Sequence, residues 1–243
     1  LSKSTRLIYI SHRTFFALKT VNAMPKSGME LKNLILGYRT GVLLLAIFYI
    51  SYSCINSNWG AAGGPFRFLT IWGLAMSLAM AWQMFRISRG QSSAKWDSFG
   101  GATAVVNAMV VFLYWTLYFE DPKSVTPNGQ LDVWWREFYM HLFGPILMWI
   151  DAFFINRIFR ELKHGLLLLV TLIVVYLAWI EFFVMRFNDS PVGSVTQGLP
   201  YPFLNNLDVS GRIIFYGSNI GVAIIFMLLF AGMAWGVRKT FVD

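Results

Sequence analysis

The segment GLLLLVTLIVVYLAWIEFFVMRF, Gly165–Phe187, reads as a membrane-spanning helix. No charge appears in it before Glu181. A hydrocarbon layer about 30 Å thick asks a helix for about 20 such residues. Five more runs of this kind occur along the chain. They lie near Leu36–Ile55 (with GVLLLAIFYISYSCI at its centre), Phe68–Ile87, Gly101–Phe119, Phe138–Ile155 and Ile213–Gly236. The fourth is the least apolar, because it carries His141, Pro145 and Asp151. The reading is an all-α integral membrane protein with six transmembrane helices.

Composition agrees. Of the 243 residues 56% are hydrophobic and only 13% charged, with a net charge of +8; soluble domains carry about 25% charged residues. A disordered chain is excluded, since it needs low hydropathy and high charge. The single Cys54 excludes a disulfide scaffold, a thiolate zinc site and a CxxC pair. No phosphate loop, nucleotide fingerprint or metal-spaced His/Cys set occurs, so neither metal nor cofactor is expected. The expected partners are membrane lipids, not nucleic acid.

Charge distribution sets the topology. The N-terminal arm through Arg39, the 2–3 and 4–5 loops and the C-terminus hold 15 Lys+Arg, against five on the other side (Arg67, Lys123, Arg136, Arg186 and Arg212). This positive-inside bias places both termini in the cytoplasm, and six spans put them on one side. Residues 35–243 then form the membrane domain. Residues 1–34 form a basic N-terminal extension, read as an interfacial helix on anionic lipid or a contact to a partner complex. Its composition also resembles a transit peptide, and Met29 would make a natural start, so part of the arm reads as an extension.

Ionisable residues inside a span are costly and are functional candidates by default. Here they are His141, Asp151 and Glu181, with Asn107 and Asn219 as weaker candidates. Depth sorts them at 1.5 Å per residue. Counted from Arg67, Thr70 lies roughly 4–5 Å inside the second helix; counted from Glu137, just before the fourth apolar run, His141 lies roughly 6 Å inside it. Glu181 closes the outer end of the fifth, and Ser218 and Asn219 lie just below Arg212 on the sixth. These groups share the outer third of the membrane. Asp151 is about 15 Å deeper than His141, and Arg86 is its expected partner. Each has a plainer reading: a lone membrane Thr usually back-bonds to its own helix, and a lone His near a helix end is usually a structural hydrogen-bonder. His12 and His164 read as surface residues.

Three segments carry a resemblance. They are Gly63-Gly64-Pro65-Phe66-Arg67-Phe68-Leu69-Thr70, then Met140-His141 with Pro145, and Tyr201-Pro202-Phe203-Leu204 followed by Gly211-Arg212-Ile213-Ile214-Phe215-Tyr216-Gly217-Ser218. In order and placement they resemble the androgen-induced-gene and androgen-dependent TFPI-regulator family. The resemblance implies six helices with cytoplasmic termini and, from its animal members, a threonine hydrolase of fatty acid esters of hydroxy fatty acids. The nucleophile then falls on Thr70 and the essential histidine on His141. The chain departs from the family in a proline four residues after His141 rather than five, in Gly73 where an acid stands, and in a longer insertion around Asn205–Asp208. These bear on substrate choice more than on fold.

The resulting expectation is an intramembrane lipid ester hydrolase. A hydroxyl needs an adjacent base to become a nucleophile, and imidazole suits that role near neutral pH. Ser218 and Asn219 are candidate oxyanion donors, and Glu181 a candidate to orient the imidazole. Arg67, Tyr201, Pro202 and Phe203 are placed at the substrate mouth. The competing readings are a non-catalytic membrane subunit docking through residues 1–34, and a transporter with Asp151 and Glu181 in its path. The lack of broken helices in matching halves counts against the transporter.

Overall fold

The computed structural model describes residues 24–126, 129–131 and 133–242. Helix makes up 78% of the described residues, which contain no strand, only a bridge between Val192 and Gln197. The long helices are α1 (Met24–Ile55), α2 (Leu69–Ser88), α3 (Asp97–Glu120), α4 (Trp134–Ile155), α5 (Leu162–Phe187) and α6 (Val209–Val242). Among the described residues, five are long and apolar enough to cross a membrane. The other, α2, has the length but less apolarity, with Gln83 and Arg86 near its end. Most helices start a few residues before their apolar runs, because a helix continues into its polar flanks. The expected boundary at residue 34 falls inside α1; the arm before Met24, with His12, lies outside the described residues.

Helix α3 is the axis of the bundle. Every residue from Gly100 to Val110 is buried, and small residues (Gly100, Gly101, Ala102, Ala104) let neighbours approach closely. A Cβ on Gly100 would stand 2.8 Å from Met80 Cε and 2.9 Å from Ile158 Cδ1. Met76, Val105, Met109, Phe153, Leu169 and Met227 pack in the core that includes this helix. The outer faces are apolar instead of polar: Leu44 and Phe48 on α1, Leu167 and Phe182 on α5, and Ile213, Leu228 and Leu229 on α6 are exposed. A lipid-facing bundle has that pattern, since hydrocarbon exerts no penalty on apolar surface.

Wide π turns interrupt α4 at Tyr139–Phe143 and Asp151–Ile155, and α5 at Ile180–Val184. Each carries one of the ionisable residues singled out above: His141, Asp151 and Glu181. Such turns free a backbone group and re-aim a side chain, and they recur at functional sites. Asp151 does not pair with Arg86, the partner expected from depth. Arg39 of α1 grips it through two bonds, Nε to Oδ2 at 2.6 Å and Nη2 to Oδ1 at 3.0 Å. Arg39 Nη1 donates further to Met84 O and Ser88 Oγ of α2. The fork therefore ties α1, α2 and α4 together, while Arg86, among the described residues, bonds to Gln83.

Candidate active site

The site starts from how α2 begins. Gly63 and Gly64 take positive φ angles of 80° and 48°, a conformation that glycine adopts without steric cost. Pro65 then opens a short 3-10 turn over Gly64–Arg67. Aromatic donors pin the segment that follows. Trp72 and Trp179 donate their indole N–H groups to Phe66 O, and Tyr176 its hydroxyl to Arg67 O. The Leu69 amide, an orphan in the first turn of α2, donates to the Tyr201 hydroxyl at 3.1 Å. Burial raises the pKa of that phenol, so it serves as a neutral hydroxyl. Thr70, one residue on, is thus held by groups from α5 and the 5–6 loop.

Thr70 Oγ1 lies 3.3 Å from His141 Nε2. The imidazole is buried, with its other nitrogen against two acceptors: Nδ1 is 3.0 Å from Glu137 O and 3.3 Å from Glu137 Oε2. Both partners of Nδ1 accept, so in the neutral ring Nδ1 carries the proton and Nε2 turns its lone pair to Thr70. Tyr114 of α3 stacks flat on the ring, centroids 3.5 Å apart at 7°. Its hydroxyl donates to Glu137 Oε2 at 3.1 Å. Arg136 binds Oε1 through Nε and Nη2 at 3.0 and 2.7 Å. Trp115 donates its indole N–H to His141 O at 2.8 Å.

Thr70 and His141 line a cavity of about 320 Å³. Ser53, Asn56, Ser57 and Ser124 also line it, as do Val106, Met109, Val110 and Ile173 from α3 and α5. Tyr201, Pro202 and Phe203 form part of its wall, as does Asn219. Asn219 Nδ2 donates to Phe215 O. Ser218 is exposed, outside the lining, and bonded to the same carbonyl. Arg67 is also outside the lining; it stacks over Phe68 at 4.9 Å, and burial lowers its guanidinium pKa.

A protein-family comparison adds to this geometry. The sequence model described as FAR-17a/AIG1-like protein matches residues 33–234. The chain belongs to the FAR-17a/AIG1-like family. With its long apolar helices, this FAR-17a/AIG1-like protein is an integral, multi-pass membrane protein. Searches of the curated proteins and of the solved structures gave no match.

Within this family member, Glu181 does not reach the imidazole. It pairs with Arg212, Nε to Oε1 at 2.9 Å, and accepts from the Tyr216 hydroxyl at 2.7 Å. It therefore tethers α5 to α6. The carboxylate beside His141 is Glu137, one helical turn earlier on the same face. The spacing of four was visible in the sequence; Glu137 stood at the edge of the apolar run and read as its boundary.

Proposed function

We propose that this chain is an intramembrane lipid ester hydrolase with Thr70 as nucleophile and His141 as base. The observation that carries the reading is the 3.3 Å approach of Thr70 Oγ1 to the imidazole nitrogen whose lone pair is free, inside a cavity polar at one end and apolar at the other. His141 Nε2 takes the hydroxyl proton as Oγ1 attacks the ester carbonyl. The amide of Thr70, in the first turn of α2, supplies an oxyanion donor where the helix dipole favours negative charge. Collapse of the tetrahedral adduct expels the alcohol, which takes the proton from His141 and leaves an acyl-threonine. Water, deprotonated by the same nitrogen, releases the acid and restores Thr70.

The lining supports the substrate class. From Tyr114 to Val106 the α3 wall descends about 12 Å at 1.5 Å per residue, room for a fatty acyl chain beside Met109 and Ile173. The polar end suits the head of an amphiphile, and a fatty acid ester of a hydroxy fatty acid has both parts. All six long helices span the bilayer in this reading, with both termini cytoplasmic. Positive charge on the inner loops supports it, and α2 can cross because its polar groups face protein: Ser77 accepts from Asn107 at 2.8 Å, and Gln83 is buried.

The test is hydrolysis of long-chain acyl esters by the purified protein in micelles. Wild type is expected to turn over, and Thr70→Ala and His141→Ala to lose 10³-fold or about that. Equal rates in all three would remove the reading.

A further inference from the structure

We propose that Glu137 is the positioning residue of this site, completing a Thr70–His141–Glu137 triad in which Arg136 and Tyr114 fix the carboxylate. The inference rests on Thr70 being the nucleophile, and goes beyond it by naming what holds the base. Four observations converge on Glu137. Its side chain is 9% exposed, beside a His141 side chain 6% exposed. Its two oxygens divide their work: Oε1 takes Arg136, and Oε2 faces His141 Nδ1 and the Tyr114 hydroxyl. Its own backbone carbonyl also accepts from Nδ1. Tyr114 stacks on the imidazole with its ring and bonds the carboxylate with its hydroxyl, so ring plane and carboxylate are fixed by one side chain.

The chemistry this allows is specific. When Thr70 gives its proton to Nε2, the imidazole becomes a buried cation. A carboxylate 3.3 Å from Nδ1 stabilises that cation as it forms. The tautomer is fixed separately by the Glu137 carbonyl, so loss of the carboxylate removes the electrostatic part and leaves the ring orientation. Glu181, bonded to Arg212 and Tyr216, has no part in this.

The experiment is the kinetics of covalent labelling by an alkyl fluorophosphonate, on the full chain in micelles. In that reaction the Oγ1–P bond forms, the P–F bond breaks, fluoride leaves, and the hydroxyl proton passes to His141. Glu137→Gln is expected to lower the maximal labelling rate about 10- to 100-fold while half-saturation stays within twofold. The loss stops short of the ~10⁴-fold seen when a triad histidine takes the wrong tautomer, because the carbonyl still holds Nδ1–H. Glu137→Asp, which keeps the charge, should recover at least a third of the wild-type rate. A Glu137→Gln rate within twofold of wild type overturns the proposal. So does a loss in Gln and Asp alike, or one expressed in half-saturation, since that is a packing effect. Absence of labelling in folded wild type removes the Thr70 nucleophile itself, and the triad with it.

Discussion

Trp115 satisfies the carbonyl of His141, and Pro145 explains why it must. In an α-turn the His141 oxygen would accept from the amide four residues later, and that residue is Pro145, which has no N–H. A buried carbonyl without a donor is costly. The indole N–H of Trp115, on α3, arrives at 2.8 Å and fills the gap. The proline thus leaves the His141 carbonyl open, and a side chain from a neighbouring helix supplies the missing donor.

Trp115→Phe keeps the aromatic packing and removes that donor. It should destabilise the protein by about 1–3 kcal/mol, the cost of an unsatisfied buried acceptor. Thermal unfolding in micelles reads this, and an unchanged midpoint would mean that water or the helix itself replaces the indole.

The buried Arg39–Asp151 fork makes a different prediction. Their side chains are 6% and 8% exposed, so removing one charge strands the other. Arg39→Ala or Asp151→Ala should each cost about 3–5 kcal/mol, and replacing both by Met and Leu markedly less. The same unfolding measurement checks it, as the double variant must be more stable than either single one.

Two glycines separate conformational need from mere presence. Gly64 has φ +48°, and a Cβ there would stand 2.8 Å from Trp59 Cε3. Gly64→Ala should destabilise the start of α2 and lower activity. Gly73 lies inside α2, where a Cβ would meet Asn107 Oδ1 at 3.5 Å and Val106 Cγ1 at 3.6 Å, ordinary contacts. Gly73→Ala should therefore be neutral or stabilise by up to about 1 kcal/mol. A lowered midpoint for Gly64→Ala and an unchanged or raised one for Gly73→Ala is the expected result.

Met109 lines the apolar end of the cavity, about 7–8 Å along α3 from Tyr114 at 1.5 Å per residue. Met109→Trp should shorten the acyl chain accepted: turnover of a long-chain ester falls at least tenfold while that of a butyrate ester changes less than threefold. Competition between the two esters measures the ratio directly.

Much of this was legible in the sequence, for physical reasons. The membrane class follows from apolar runs of bilayer length. The rise per residue, counted from Arg67 and Glu137, put Thr70 and His141 at one depth, and the structure brings them together. Depth does not give azimuth. Glu181 shares their layer but faces Arg212 on α6, whereas Glu137 touches the histidine from the residue used as the depth marker. Arg39 was counted with the basic arm, yet α1 is continuous from Met24, so Arg39 sits inside a helix and can reach Asp151. The π turns that re-aim His141, Asp151 and Glu181 depend on tertiary packing and leave no periodic signature.

Intact-protein mass spectrometry after fluorophosphonate treatment asks whether Thr70 is the activated nucleophile proposed above. One adduct per chain, mapped to the peptide bearing Thr70 and absent in Thr70→Ala and His141→Ala variants of unchanged thermal stability, is the predicted result. An unmodified wild type, or an adduct on another residue that persists in Thr70→Ala, would contradict it.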